Sequence, residues 1–188
     1  MTGFDIPLGV VLFVVGALTV AAVIDGWKLK VPNWLTFPFM LSGLIYNFAV
    51  GGFSGLATSL LGCVVGLGLL LVPYAVGGMG AGDVKLFGGV GAWMGWQITL
   101  GAFCVSSIVG GILAVVLVVV RSLRSRDWGI VSRNWGRFQL VLSELMTIRD
   151  PNHLSALAAA RKPTAILLPY GIPLAIGTVI YFFYVGVL

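Results

Sequence analysis

The sequence predicts an all-α fold, a polytopic membrane protein with about six transmembrane helices, and both its composition and its segment lengths support this prediction. Of its 188 residues, 59% are apolar and only 9% are charged, whereas soluble domains carry about 25% charged residues. Charge-poor stretches recur along the chain, and most are long enough to cross a hydrocarbon core of about 30 Å as helices. This composition excludes a disordered chain, a disulfide-stapled secreted domain and an ordinary cytosolic enzyme. We expect one membrane-embedded domain over residues 1–188.

Six apolar segments are predicted to be transmembrane helices. They cover residues 6–24, 34–50, 55–77, 84–96, 98–120 and 164–187. The first segment has no basic region before it, so we expect it to be retained as a helix and not removed as a signal peptide. The fourth segment would rise only about 20 Å as a helix, so it must be tilted or extended by its flanks. Its glycines favour close approach of a neighbouring helix backbone.

The basic residues predict the orientation of the chain in the membrane. All 11 Lys and Arg residues fall in three polar loops, at residues 25–33, 78–85 and 121–163. Because cytoplasmic loops of membrane proteins are enriched in Lys and Arg, these loops are expected on the cytoplasmic side of the inner membrane, with both termini outside. The net charge of +5 would then face anionic membrane lipids, and no nucleic acid is needed to explain it.

The cytoplasmic loop at residues 121–163 is the one extended polar region. Apolar residues within it recur at helical spacing, which predicts an amphipathic helix lying on the membrane surface. These residues are Trp135, Phe138, Leu142, Leu145 and Ile148. A solvated connector is the alternative interpretation of this loop.

Two carboxylates stand out among the acidic residues because each lies at the cytoplasmic boundary of a predicted helix. Asp25 ends the first helix and Asp83 begins the fourth, so both are expected at the same depth. Pairing two carboxylates at a membrane edge is unfavourable unless they serve a function. Position alone leaves a structural interpretation of each aspartate as open as a functional one. Asp83 could cap its helix by accepting backbone N–H bonds, and Asp25 could be a solvated residue at a helix end.

Three motifs give the sequence a resemblance to a known family. Residues 77–86, GGMGAGDVKL, closely resemble the GxGD signature of type IV prepilin peptidases. Asp25 with the stretch KVPNWL at residues 30–35 resembles the family's element around its first catalytic aspartate, and LPYGIPLA at residues 168–175 resembles its last-helix motif. The three motifs occur in the family's order and span nearly the whole chain.

The resemblance implies an intramembrane aspartyl endopeptidase that cleaves the short basic leader from prepilins or pilin-like precursors at the cytoplasmic membrane face. Asp25 and Asp83 match the family's catalytic pair, and neither a metal nor a cofactor is expected. The compact length is similar to the branch that processes tight-adherence (Flp-type) pilins. The larger bifunctional members carry an N-terminal extension with paired CxxC motifs, which this sequence lacks, so we predict no N-methyltransferase activity.

Supporting roles are expected for five residues near the two aspartates. Gly80 and Gly82 would allow the backbone to bring the second aspartate close to the first, although a simple turn is their alternative role. Lys85 could stabilise a carboxylate or a substrate carbonyl, or extend to water at the membrane interface. Pro32 and Asn33 are predicted to form a turn and an N-cap that open the second helix.

The chemistry expected of two adjacent carboxyl groups is acid–base catalysis. Two such groups cannot both ionise cheaply, so they share one proton. The ionised member can then activate a water molecule while the protonated member donates a hydrogen bond to the scissile carbonyl. Two other functions remain open: an ion-coupled transporter that uses membrane carboxylates, and a non-catalytic scaffold for a pilus or secretion machine.

Overall fold

The computed structural model describes residues 6–28, 31–75, 79–125 and 170–188, and every regular element in these ranges is an α-helix. The four helices are α1 (Leu8–Lys28), α2 (Asn33–Ala75), α3 (Ala81–Ser125) and α4 (Gly171–Val185). The first three are long and apolar enough to cross a membrane, and α4 is a shorter apolar helix of 15 residues. The prediction of an all-helical membrane protein is therefore confirmed for these residues.

The helices correspond to the predicted segments with shifts at their ends. Helix α2 contains the second segment and the third as far as Ala75, and α3 contains the fourth and fifth. Helix α4 begins at Gly171, later than the predicted start at residue 164. The first five residues of the 121–163 loop belong to the end of α3. The predicted amphipathic helix of this loop lies outside the described residues and stays a prediction.

Helix α2 reverses direction at Gly52. The backbone of this residue is non-helical, with φ 58° and ψ −144°, a conformation that side chains with a Cβ rarely adopt. The Met40 and Cys63 sulfur atoms lie 3.2 Å apart on either side of this break, although a straight helix would separate them by about 35 Å. The two halves of α2 therefore pack against each other.

Helix α3 reverses in the same way at Gly95, where φ is 76° and ψ is 169°. The rings of Phe87 and Phe103 lie 6.3 Å apart, centroid to centroid, where a straight helix would place these residues about 24 Å apart. A break in a helix deprives nearby carbonyl groups of their N–H partners, and in lipid these need substitutes. Asn47 Nδ2 donates a hydrogen bond to the Ala92 carbonyl at 2.9 Å. A side chain of α2 therefore replaces a backbone donor near the break in α3.

Glycines allow the backbones of α2 and α3 to touch. A Cβ atom placed on Gly62 would meet the carbonyl oxygen of Gly91, and a Cβ on Gly91 would meet that of Gly62. One turn further along, a Cβ on Gly66 would lie 2.5 Å from the Phe87 carbonyl oxygen. Small residues spaced four apart allow such close packing in membranes, where dispersion contacts replace the hydrophobic effect between helices. The expected role of the α3 glycines in close approach is confirmed at Gly91.

Helix α1 buries one stripe of side chains and exposes apolar residues elsewhere. Buried positions alternate in steps of three and four residues, so they lie along one face that packs on α3 and α4. The positions with no exposed surface are Val11, Val14, Leu18 and Ala21. Large apolar side chains such as Leu12 and Val20 are about half exposed on the other faces. A helix that is apolar all round fits a lipid environment.

The contact between Gly62 and Gly91 predicts an effect on stability. Replacing Gly62 with Ala would force the α2 and α3 backbones apart, so we expect a loss of about 1–3 kcal/mol, the usual cost of overpacking. The measurement is the unfolding of the purified protein in detergent. Gly68→Ala is the matched control, since a Cβ on Gly68 has nothing within 4 Å. Equal stability of the two variants would contradict this account of the packing.

Candidate active site

Asp25 continues the buried stripe of α1. It lies two helical turns after Leu18 and one turn after Ala21, on the same face. The end of α1, at Lys28, is three residues further on. Its side chain is only 2% exposed. The interpretation of Asp25 as a solvated residue at a helix end is therefore wrong. A buried carboxyl group needs a hydrogen-bond partner, because removing it from water is costly.

The first residue of α4 supplies this partner. The backbone N–H of Gly171 donates a hydrogen bond to Asp25 Oδ2 at 2.9 Å. The N–H groups in the first turn of a helix lack intrahelical partners, and the helix dipole favours a negative group at this end. A Cβ on Gly171 would lie 3.0 Å from both Cβ and Oδ2 of Asp25. Glycine at this position thus permits the close approach of α1 and α4.

Asp83 lies in the first turn of α3 and is 3% exposed. Its Oδ2 accepts the backbone N–H of Gly80 at 3.2 Å, and its own N–H donates to the Gly80 carbonyl at 3.2 Å. A carboxylate that reaches back to the residue before the helix is half of a capping box. Asp83 is thus the third residue of α3 and not its N-cap, so the expected N-cap position is wrong, although one carboxylate oxygen does cap the helix start. Asp83 Oδ1 is buried and has no hydrogen-bond partner among the described residues.

The structure brings the two aspartates together at one end of the helices. The carboxyl groups of Asp25 and Asp83 are close enough for their charges to interact. The chain that follows α1 also packs on the start of α3, since a Cβ on Gly82 would meet the carbonyl oxygen of Val31. This contact places the end of α1 beside the first turn of α3. Glycine at position 82 therefore serves a close approach.

Lys85 and Asn33 form a contact between α3 and α2. Lys85 Nζ donates to Asn33 Oδ1 at 2.9 Å and lies 4.6 Å from the centroid of the Phe37 ring. Asn33 is the first residue of α2, and the Pro32 carbonyl accepts the N–H of Leu35 at 3.1 Å. The predicted N-cap role of Asn33 is wrong, because its side-chain oxygen binds Lys85 across the gap between α2 and α3. Lys85 accordingly directs its charge to Asn33 and Phe37.

Two residues of the last-helix motif belong to the site, although the sequence analysis did not select them individually. Gly171 binds Asp25, and Tyr170, which is partly buried, interacts electrostatically with Asp83. The motif was the available signal, but its sequence does not say which of its residues approaches an aspartate. Only the packing of α4 between the other helices reveals this.

The chemistry that this arrangement can perform is proton transfer between two buried carboxyl groups. Two interacting carboxyl groups can share one proton, and then one can act as a base while the other donates a hydrogen bond. Within the described ranges, no three His, Cys, Asp or Glu side chains group together in a way that could hold a metal ion. The two aspartates with their backbone donors thus form the candidate site.

Comparison with known proteins identifies a family. The type IV leader peptidase family matches residues 12–115, a range that contains both aspartates. The chain is 33% identical over 118 residues to a prepilin leader peptidase/N-methyltransferase of Aeromonas hydrophila, covering 59% of this chain and 40% of the relative. It is 36% identical over 130 residues to the protein of that name in Pseudomonas aeruginosa, covering 65% of this chain and 44% of the relative.

A third relative, also a prepilin leader peptidase/N-methyltransferase, comes from Neisseria gonorrhoeae. It is 37% identical over 105 residues, which are 52% of this chain and 36% of the relative. The chain thus covers less than half the length of each of these three relatives. No solved structure matches the chain. Since the family match includes more than half of the sequence, this chain belongs to the type IV leader peptidase family.

Proposed function

We propose that this protein is an intramembrane aspartyl endopeptidase that removes the basic leader from prepilin or pilin-like precursors, with Asp25 and Asp83 as its catalytic pair. The observation that carries this proposal is the burial of two interacting carboxyl groups, 2% and 3% exposed, at one end of the helices. Membership of the leader peptidase family supports the reaction, and the names of the relatives support the substrate class.

The proposed mechanism divides acid and base roles between the two aspartates. The ionised carboxyl removes a proton from a water molecule as it attacks the scissile carbonyl carbon, and the protonated carboxyl donates a hydrogen bond to the carbonyl oxygen. Asp83 Oδ1 has no partner among the described residues and is available for either contact. The tetrahedral intermediate then collapses to the carboxylic acid as the peptide C–N bond breaks, and the leaving amine takes up one proton from the pair, which restores the starting state.

The depth of the site suits a substrate whose basic leader is joined to an apolar helix. Trp27 and Trp34 near the site are 85% and 68% exposed, and exposed Trp residues concentrate at membrane–water interfaces. A precursor with its leader in the cytoplasm and its helix in the bilayer would present the junction at this level. The peptide must be extended at the cut, because a helical backbone keeps its carbonyl groups bonded internally.

The proposed topology has six crossings, since α2 and α3 each reverse at a glycine. Residues 33–51 and 53–75 would each rise about 30–35 Å, enough for one crossing apiece. Residues 81–94 would rise only about 20 Å, which requires tilt or local thinning of the bilayer. In this arrangement both termini lie outside and the aspartates lie at the cytoplasmic face of the inner membrane, as the positions of the Lys and Arg residues predict.

Two alternative functions are separated by the same experiment. An ion-coupled transporter would place its carboxylates near the middle of the membrane, whereas Asp25 and Asp83 lie at helix ends. A scaffold for pilus or secretion assembly would not require both carboxyl groups. The predicted absence of N-methyltransferase activity stays a prediction, and the names of the relatives include that activity.

Substitution of either aspartate tests the proposal directly. We expect Asp25→Asn and Asp83→Asn each to lower the rate of leader removal by at least about 10³-fold, because an amide cannot act as the general acid or base. Folding should be nearly unchanged, since the amide oxygen can still accept the N–H of Gly171 or Gly80. The measurement is cleavage of a reconstituted pilin-like precursor, followed by gel electrophoresis and mass spectrometry.

The matched control for these variants is Thr19→Val on α1, whose hydroxyl donates to the Val15 carbonyl of its own helix at 2.8 Å. It should cleave at the wild-type rate. Normal cleavage by either Asn variant would remove that aspartate from the catalytic pair. Normal cleavage by both would show that other residues carry the reaction, whereas no cleavage by the wild-type protein would favour the scaffold or the transporter.

The six-crossing topology predicts from which side of the inner membrane a cysteine at either end of the first half of α2 can be labelled. In a variant without Cys63 and Cys104, we expect Phe53→Cys to react with a membrane-impermeant maleimide from outside the inner membrane, because Phe53 lies beside the reversal of α2 and is 83% exposed. Trp34→Cys should react only after the inner membrane is permeabilised. If both positions are labelled from the same side, residues 33–51 do not cross the membrane and the six-crossing topology is wrong.

A further inference from the structure

We propose that Gly171 is a positioning residue, whose backbone N–H holds the Asp25 carboxyl group in the orientation needed for catalysis. This makes the N-terminus of α4 the third component of the site, after the end of α1 and the start of α3. The inference rests on the proposed function of Asp25 and adds a role for a residue that carries no reactive side chain. Its basis is the 2.9 Å hydrogen bond from Gly171 N to Asp25 Oδ2.

Helix α4 is held in place independently of this bond. Ser106 in the second half of α3 donates a hydrogen bond to the Leu174 carbonyl at 3.3 Å, and both residues are buried. A Cβ on Gly177 would collide with the backbone of Ser106, so the two helices touch there. The Gly171 N–H group is therefore a donor fixed by the packing of α3 and α4. Asp25 adapts to the donor, because its side chain has two rotatable bonds.

The consequence for catalysis follows from the single hydrogen bond that the Asp25 carboxyl group accepts within the described part of the chain. A carboxyl group at the end of α1 without this donor could rotate, and misplacement of a reacting group by about 1 Å can cost about 100-fold in rate. With Oδ2 bound to Gly171, the carboxyl group has one orientation relative to Asp83. The residue that orients Asp25 thus comes from a helix far away along the chain.

The experiment removes the donor without adding atoms. Glycolic acid in place of Gly171, introduced by nonsense suppression, replaces the N–H with an ester oxygen and leaves the rest of the full-length protein intact. A second variant, Gly171→Ala, keeps the donor but places a Cβ 3.0 Å from Asp25 Cβ and Oδ2. The matched control is Gly26→Ala, which adds a methyl group to the same junction, where its neighbour is Ile172 Cδ1 at 3.7 Å.

The expected result is a fall in kcat with little change in KM. We expect the ester variant to lose about 10- to 100-fold in kcat on a reconstituted pilin-like precursor, the effect of losing one hydrogen bond to a charged group. KM should stay within about 2-fold, since the bond contacts no substrate. Gly171→Ala should also lose activity, and Gly26→Ala should retain it. Thermal unfolding in detergent should show all four proteins folded at the assay temperature, with the ester variant less stable because buried Asp25 loses its donor, so a loss of kcat reports orientation and not unfolding.

Several outcomes would overturn the inference. A kcat of the ester variant within about 2-fold of wild type would show that the hydrogen bond does not position Asp25. A higher KM with an unchanged kcat would assign the contact to substrate binding, and an equal loss of activity in Gly26→Ala would assign it to helix packing. If Asp25→Asn cleaves normally, the proposed function fails, whereas an inactive Asp25→Asn with a fully active ester variant defeats this inference alone.

Discussion

The structure depends on one constraint, the burial of two carboxyl groups inside an apolar bundle of helices. A carboxyl group removed from water requires hydrogen-bond partners, or the fold loses much of its stability. Both aspartates meet this requirement with a backbone N–H at the start of a helix: Asp25 uses Gly171 of α4, and Asp83 uses Gly80 before α3. Backbone donors add no positive charge, so they bind the carboxyl groups without neutralising them by an ion pair.

Helix α3 connects both sides of the site. Its first turn carries Asp83, and its second half holds α4 through Ser106, so that Gly171 reaches Asp25. Its glycine at position 91 lets the same helix contact α2 backbone to backbone. A shift of α3 would thus move Asp83 and the donor to Asp25 together. The geometry of the aspartate pair is consequently coupled to helix packing far from the carboxyl groups.

The reversal of two long helices accounts for the compactness of the bundle. Gly52 and Gly95 adopt positive φ values at which α2 and α3 turn back. Each reversal exposes carbonyl groups that cannot bind water in a bilayer, and Asn47 on α2 binds one of those near the break in α3. The polar side chains of this part of the fold therefore compensate for broken helix hydrogen bonds. They lie away from the aspartates, which leaves the carboxyl groups with backbone donors.

The sequence by itself determined the helical membrane fold and the family and singled out Asp25 and Asp83 as the candidate pair, because apolar length, charge placement and short motifs are local properties of a chain. Even the breaks in α2 and α3 fall at or beside the predicted gaps between segments, since glycine marks both. The tertiary structure alone decided the partners: Gly171 at Asp25, Asn33 at Lys85 and Gly62 at Gly91. These contacts join residues distant in sequence through backbone atoms or flexible polar side chains, and neither periodicity nor motif spacing specifies where such groups meet.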